Sequence, residues 1–288
     1  MNGSIRYQHK PPALWPFYGK ALFARGNKGS QIEIPQLEAE LLGVSTDTDR
    51  LARYRKVCGF QPGINLPMTW PHILAFPLHM RLLTDPAFPL PLLGLVHLRN
   101  QITQHRPLRQ GECFDLHCHL ANQQQTERGL EFDLVTQAYS SGRLIWEELS
   151  TTLHRQPQAG GKSKKSQNQL PRYPHTQQIT APDDTGRRYG RVSGDLNPIH
   201  IHSLTARAFG FPRAIAHGMW SKAQSLAILE QQTGWRSEGV TVEVAFKKPL
   251  FLPGKAQLNW DTQTSRWPFQ LLNAKGDAPH LTGEVRWD

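Results

Sequence analysis

Asp195, His200 and Gly218 are the residues of this chain whose types and spacing can do chemistry. The first two stand in Tyr189-Gly190-Arg191-Val192-Ser193-Gly194-Asp195-Leu196-Asn197-Pro198-Ile199-His200, and the glycine lies eighteen residues beyond His200 in Ala216-His217-Gly218-Met219. An Asn-Pro turn bends the backbone between the acid and the imidazole, so both side chains can converge on one small volume. Gly218 opens a long amphipathic segment, and an N–H at a helix start can face negative charge that the other two groups create. A base for water, an acid for carbon and a donor for an oxyanion are the set needed to add water across an activated double bond. Each residue has a plainer use when taken alone. An Asp beside Asn-Pro caps turns, a single histidine is commonly a hydrogen-bonded structural group, and a glycine permits close packing. It is the coupled spacing that favours chemistry. Tyr189 reads as core, and His217 as a donor at a loop or helix start.

These residues need elements to hold them. Residues 156–169, rich in Gly, Ser, Gln and Lys, divide the chain near its midpoint and read as a linker. Ahead of it, residues 92–104, 112–121, 130–139 and 143–153 alternate apolar and polar positions at strand period; behind it, 240–247, 256–261, 268–273 and 281–287 do the same. Each half sets a helix-like stretch before its strands, 71–83 in the first and 215–232 in the second, where Ile215, Met219, Ala223, Leu226 and Leu229 recur at helical spacing. Such a helix is expected to lie against the concave face of the antiparallel sheet that follows it. The pattern implies two copies of one architecture: an N-terminal domain over 1–155, a basic polar linker over 156–174 and a catalytic C-terminal domain over 175–288.

Composition narrows the classes. The 288 residues suit two domains, and the longest apolar runs, such as Pro89-Leu90-Pro91-Leu92-Leu93-Gly94-Leu95-Val96, break well short of the roughly 18 residues a membrane helix needs. The first residues lead into polar, proline-rich sequence rather than an apolar leader, so the expected setting is the cytoplasm. Cys58, Cys113 and Cys118 are too few for a disulfide framework and are expected to be buried thiols. The net charge of +10 attracts anionic partners, and five of the basic residues (Arg155, Lys162, Lys164, Lys165, Arg172) fall between Arg155 and His175 with no acid among them. That run reads as a solvated linker. No nucleic-acid-binding motif accompanies the charge, so neither nucleic acid nor membrane is expected as a partner. Cys113, Asp115, His117 and His119 share one strand face and mimic a metal set. The apolar residues between them mark a half-buried strand instead, and no metal is expected. His72 and His79, on the first helix, have no Gly-Asp-x-Asn-Pro partner.

The stretch 189–200, with Ala206, Gly210-Phe211, Ile215 and His217-Gly218-Met219, resembles the signature of MaoC-like dehydratases and (R)-specific enoyl-CoA hydratases, called hydratase 2. The resemblance implies an α+β double hot-dog fold: two curved antiparallel sheets, each wrapped around a long central helix, with only one half keeping the catalytic signature. It implies an acid/base pair at Asp195 and His200 and a thioester-carbonyl amide at Gly218, while Ser193, Gly194 and Asn197 match positions that shape the turn. His202 departs from the acidic residue many members carry. Leu226 stands where some members have a pocket serine, with Ser225 beside it. The implied activity is a hydro-lyase reaction interconverting (R)-3-hydroxyacyl and trans-2-enoyl thioesters, with Asp195 as base toward water and His200 handling the α-proton. The reverse division of labour fits the same residue types. No cofactor is expected; coenzyme A or phosphopantetheine enters as part of the substrate, carried as acyl-CoA or on an acyl carrier protein. The first half is expected to accommodate substrate, and a homodimer fits the same reading. A hot-dog thioesterase and a non-catalytic acyl-thioester binder are the alternatives.

Overall fold

The computed structural model describes residues 4–23, 32–156, 170–263 and 265–288. In chain order the elements are β1 (Ile5–Gln8), α1 (Trp15–Phe23), β2 (Glu38–Val44), α2 (Thr48–Cys58), α3 (Trp70–Leu83), β3 (Leu95–Gln104), β4 (Phe114–Thr126), β5 (Gly129–Ser140) and β6 (Arg143–Arg155). The second half continues with β7 (His175–Ala181), α4 (Thr185–Ser193), α5 (Pro198–Ile201), α6 (Ser203–Ala208), α7 (Gly218–Leu229), β8 (Val240–Phe246), β9 (Gly254–Trp260), β10 (Arg266–Asn273) and β11 (Pro279–Trp287). The eight strands expected from period-two alternation are all present. β4 shows why: Phe114, Leu116, Cys118 and Leu120 are buried on one face, while Asp115, His117 and His119 alternate on the other. Cys58 and Cys118 are buried as expected, but Cys113 is exposed, because it precedes the first paired residue of β4 and so escapes the alternation.

The halves share one topology. In the first, β2 precedes the helix α3 and the sheet order is β2-β4-β5-β6-β3; in the second, β7 precedes α7 and the order reads β7-β9-β10-β11-β8. The expected pair of sheets is joined edge to edge into a single 11-stranded sheet, because β3 and β8 pair antiparallel from Arg99↔Ala245 to Gln104↔Val240. β1 adds to the outer edge as a parallel partner of β2. The linker residues 157–169 lie outside the described residues.

Both central helices are buried nearly all round. Trp70, Ile73, Leu74, Leu78 and Leu82 of α3 face the core, as do Met219, Trp220, Ala223, Leu226 and Leu229 of α7. α3 begins at Trp70, behind Thr69 and with proline in its first turn, where the missing N–H costs nothing. α7 starts at Gly218, not at Ile215. His217 has extended backbone (φ −63°, ψ 140°), and Ile215 is held in a β-bridge to Phe251.

Candidate active site

α4 ends where the candidate residues begin. Gly194 takes a left-handed conformation (φ 87°) that closes the helix through its N–H to Gly190 O at 2.8 Å. Asp195 follows, its own N–H donating to Ser193 Oγ at 3.1 Å and its carboxylate Oδ1 accepting from Asn197 N–H at 3.1 Å. Asn197 then caps α5 through its side chain, which accepts from Ile199 N–H at 3.3 Å, with Pro198 at the first helical position. This places His200 one helical turn on, with its ring returned toward Asp195. Ser193, Gly194 and Asn197 are thus turn-shaping residues in the structure.

Asp195, His200 and His217 each present a ligand atom within 4.8 Å of the other two. His200 Nδ1 lies 2.8 Å from Ile215 O; a carbonyl only accepts, so Nδ1 carries the proton and Nε2 keeps its lone pair. The His200 and His217 rings stack at 3.8 Å, and His217 Nε2 lies 3.0 Å from Asp195 O and 3.7 Å from its carboxylate Oδ2. Tyr189 packs its ring 4.8 Å from His217 and is buried, as its core assignment requires. Gly218 follows His217 directly. Its N–H, first in α7, has no carbonyl four residues back, and the face where a side chain would begin is covered by the Phe246 ring at 3.0–3.3 Å.

Electrostatics sort the protons. Burial alone would raise the Asp195 carboxyl, but His217, His200 and the Asn197 N–H outweigh it and hold the group below its ordinary value, as a carboxylate. Burial lowers His200 despite the attraction of Asp195, and it lowers His217 to about 3, helped by the neighbouring His200 ring. The resting site is one carboxylate beside two neutral imidazoles. The Asp195 side chain retains 31% exposure, so water can reach it.

Other expectations resolve into structure. His202 caps α6 through Nδ1, which accepts from Leu204 N–H at 3.1 Å. Leu226 is core, and the hydroxyls of Ser225 and Ser221 bond carbonyls one turn back in α7, at 2.9 and 3.4 Å. Sequence reasoning missed three contributors from the first half. His72 pairs with Glu148 at 2.9 Å and is among the groups that lower the Asp195 carboxyl; Arg50 and Tyr18 bond the backbone around Asp195. The last two act across 142 and 176 residues of chain, so no local pattern could signal them.

Comparison with known proteins identifies the family and the fold. A model of the MaoC like domain matches residues 163–268. The 3-hydroxyacyl-thioester dehydratase X of Mycobacterium tuberculosis is 33% identical over 256 residues, covering 88% of this chain and 90% of its own. The chain belongs to the MaoC-like dehydratase family. The crystal structure of that relative superposes with a TM-score of 0.76 over 87% of this chain and all (100%) of its own, at 32% identity. A MaoC-like dehydratase from Phytophthora capsici matches in fold at 18% identity, covering 89% of this chain and 96% of that one with a TM-score of 0.71. A Mycobacterium tuberculosis protein described as a double hot-dog does so at 10% identity, over 85% and 93% of the two chains, with a TM-score of 0.53. The fold of this MaoC-like dehydratase is therefore the double hot-dog.

Proposed function

We propose that this protein is a hydro-lyase that reversibly hydrates trans-2-enoyl thioesters to (R)-3-hydroxyacyl thioesters, with Asp195, His200 and Gly218 as its catalytic groups. The observation that carries the reading is the pairing of an ionised Asp195 with a His200 whose Nδ1 is pinned to Ile215 O, leaving Nε2 free beside the start of α7. The relative's name, a 3-hydroxyacyl-thioester dehydratase, supports the same reaction class.

The chemistry follows from the protonation states. Asp195 takes a proton from water as the oxygen attacks C3 and electron density moves onto the thioester oxygen. The Gly218 N–H, with the α7 dipole behind it, stabilises that oxyanion. His200 Nε2, whose lone pair is free, takes that proton from the Asp195 carboxyl and delivers it to C2, so the proton that water loses is the one carbon gains, and both groups return to their starting states. His217 and Asn197 hold the Asp195 backbone and carboxylate during the transfer. Positioned acid/base groups give roughly 10²–10⁴-fold and an oxyanion donor roughly 10²–10³-fold, so both contributions are needed. Water and substrate supply every atom that moves, and the reading requires no metal or redox cofactor; coenzyme A or phosphopantetheine arrives as the substrate's handle. The three free cysteines fit a reducing, cytoplasmic setting, and the net charge of +10 fits a phosphate-bearing or acidic carrier.

The test offers the purified protein a series of 2-enoyl-CoA substrates and follows loss of the conjugated enone absorbance, product configuration and free thiol. Hydration to the (R)-alcohol without thiol release is expected, and it is lost in Asp195→Ala and His200→Ala with the fold intact. Near-wild-type rates in either variant refute the assignment, and thiol release establishes thioesterase activity instead.

A further inference from the structure

We propose that Tyr18 and Arg50, both from the first half of the chain, form a clamp that positions Asp195 for catalysis, so that the half without the catalytic signature completes the site of the other. The proposal rests on the assignment of Asp195 as a catalytic group.

The last carbonyls of a helix have no intrahelical N–H to meet. At the end of α4 three consecutive carbonyls, of Val192, Ser193 and Gly194, run directly into Asp195, and partners from the first half take each of them. Arg50 Nε donates to Val192 O at 2.8 Å, Arg50 Nη2 donates to Ser193 O at 3.3 Å, and the Tyr18 hydroxyl donates to Gly194 O. That hydroxyl also accepts from Leu196 N–H at 2.7 Å. One phenol oxygen thus ties the peptide groups on both sides of Asp195.

The clamp is itself held. Arg50 Nη2 also reaches Ile73 O of α3 at 3.4 Å, and the guanidinium lies 5.8 Å from the centre of the Trp70 ring. α2, which carries Arg50, is capped at Asp47, whose side chain accepts from Arg50 N–H at 3.0 Å. Leu14, just ahead of α1, packs so closely on the loop that a side chain at Gly194 would meet its Cδ1 at 2.6 Å. Burial and the negative charge of Asp195 keep the Tyr18 phenol protonated, as its donor role requires.

Among the described residues the Tyr18 and Arg50 side chains bond main-chain carbonyls and an amide, so they are positioning residues. Their effect falls on where the carboxylate sits. A displacement of about 1 Å in a catalytic group can lower turnover by roughly 10²-fold. Tyr18→Phe, which removes one oxygen, is expected to lower kcat by about 10–100-fold with KM changed by less than about 2-fold. Arg50→Met is expected to lower kcat likewise, and Arg50→Lys, which keeps a cation able to bond one carbonyl, to restore part of it.

Steady-state kinetics and thermal unfolding of Tyr18→Phe, Arg50→Met, Arg50→Lys, Trp15→Ala and Asp195→Ala make the test. Trp15 is on the same helix as Tyr18 but 78% exposed, and its variant should behave as wild type. Wild-type kcat in Tyr18→Phe and Arg50→Met, beside an inactive Asp195→Ala, overturns the clamp alone. A loss of kcat that follows only a matching fall in melting temperature, with no rescue by Arg50→Lys, also overturns it. Retained activity in Asp195→Ala removes the assignment beneath it.

Discussion

Two glycines outside the proposed catalytic pair set the distance between Asp195 and His200. Gly186 and Gly190 lie one turn apart on α4, and the chain from Asp195 to Ile201 packs directly against them. A Cβ on Gly190 would stand 2.8 Å from Asp195 O, and one on Gly186 only 1.8 Å from His200 O. Both obstacles are backbone, which cannot rotate aside, so Gly186→Ala must push α5 and its imidazole away. Its kcat should fall by roughly 10²-fold, whereas Gly63→Ala, with nothing within 4 Å of its Cβ, should keep full activity. Steady-state rates decide this, and an unimpaired Gly186→Ala enzyme contradicts the packing argument. The same pair of groups fixes a pH dependence. Asp195 and His200 both lie below their ordinary values, so at neutral pH both are unprotonated, the state that accepts a proton from water. The kcat/KM of the free enzyme should be level near neutrality and fall on the acid side, with a midpoint below the ordinary histidine value of about 6.5. A midpoint at or above that value means His200 is not the buried neutral imidazole described. The motif residues were legible in the sequence because the turn, the cap and the helix start are local. Gly186 was not, since its partner is brought to it only by the fold.

α7 shows how far periodicity reaches. The stripe Ile215, Met219, Ala223, Leu226 and Leu229 identified a helix, but period alone assigns the remaining positions to solvent. The structure buries most of them too, including Lys222, which is 0% exposed. Its ammonium donates to Asn100 O at 3.2 Å, Asn100 Oδ1 at 2.5 Å and Val242 O at 3.1 Å, tying α7 to β3 and β8 where the two halves meet. Asn100 Nδ2 continues to Glu148 Oε1 at 2.6 Å, and Glu148 pairs with His72 of α3, so a polar chain links both central helices. Burial lowers the Lys222 ammonium to about 7. Lys222→Met removes the donor that Asn100 Oδ1 and the Asn100 and Val242 carbonyls share at the seam between the halves. The expected cost is on the order of 3 kcal/mol, read as a lower urea midpoint at unchanged slope. An equal or higher midpoint places the stabilisation of α7 in its apolar contacts alone. The short helices α1, α2 and α4 and the strands β1, β2 and β7 escaped the sequence reading. Several are brief, and α4 is interrupted by Gly186 and Gly190, whose reason is packing.

The repeated order of helix and then meander was enough to infer two copies of one architecture, and their common sheet order agrees with it. The edge at which they fuse, β3 to β8, was not legible, because strand alternation specifies which face is buried and not which distant edge is met. Fusion gives the molecule a continuous interior that holds several neutral histidines. Burial lowers His79 to about 3 and His97 to about 4, and His217 also lies at about 3. Among the described residues His97 Nε2 has no hydrogen-bond partner, so protonation there gains no compensating bond. The folded state therefore binds protons more weakly than the unfolded chain, whose histidines titrate near 6.5. Stability is fully present above that value and is lost as pH falls toward 4, where the unfolded chain takes up protons that the native interior refuses. Each such histidine contributes a slope of about 1.4 kcal/mol per pH unit in this window, and the three together about 4. Glu148, held at about 2 by His72 against the opposing effect of burial, extends the loss below the ordinary carboxylate range, because its stabilisation requires the charged form. Urea unfolding between pH 4 and 8 should show a decline beneath about 6.5, offset by about one group's share by Glu230, which burial raises to about 8 and whose protonated form the folded state favours. His97→Gln should flatten that decline by about one histidine's share. A wild-type slope near zero from pH 6 to 4 means that the interior accepts these protons, and the neutral state assigned to His79, His97 and His217 is then wrong.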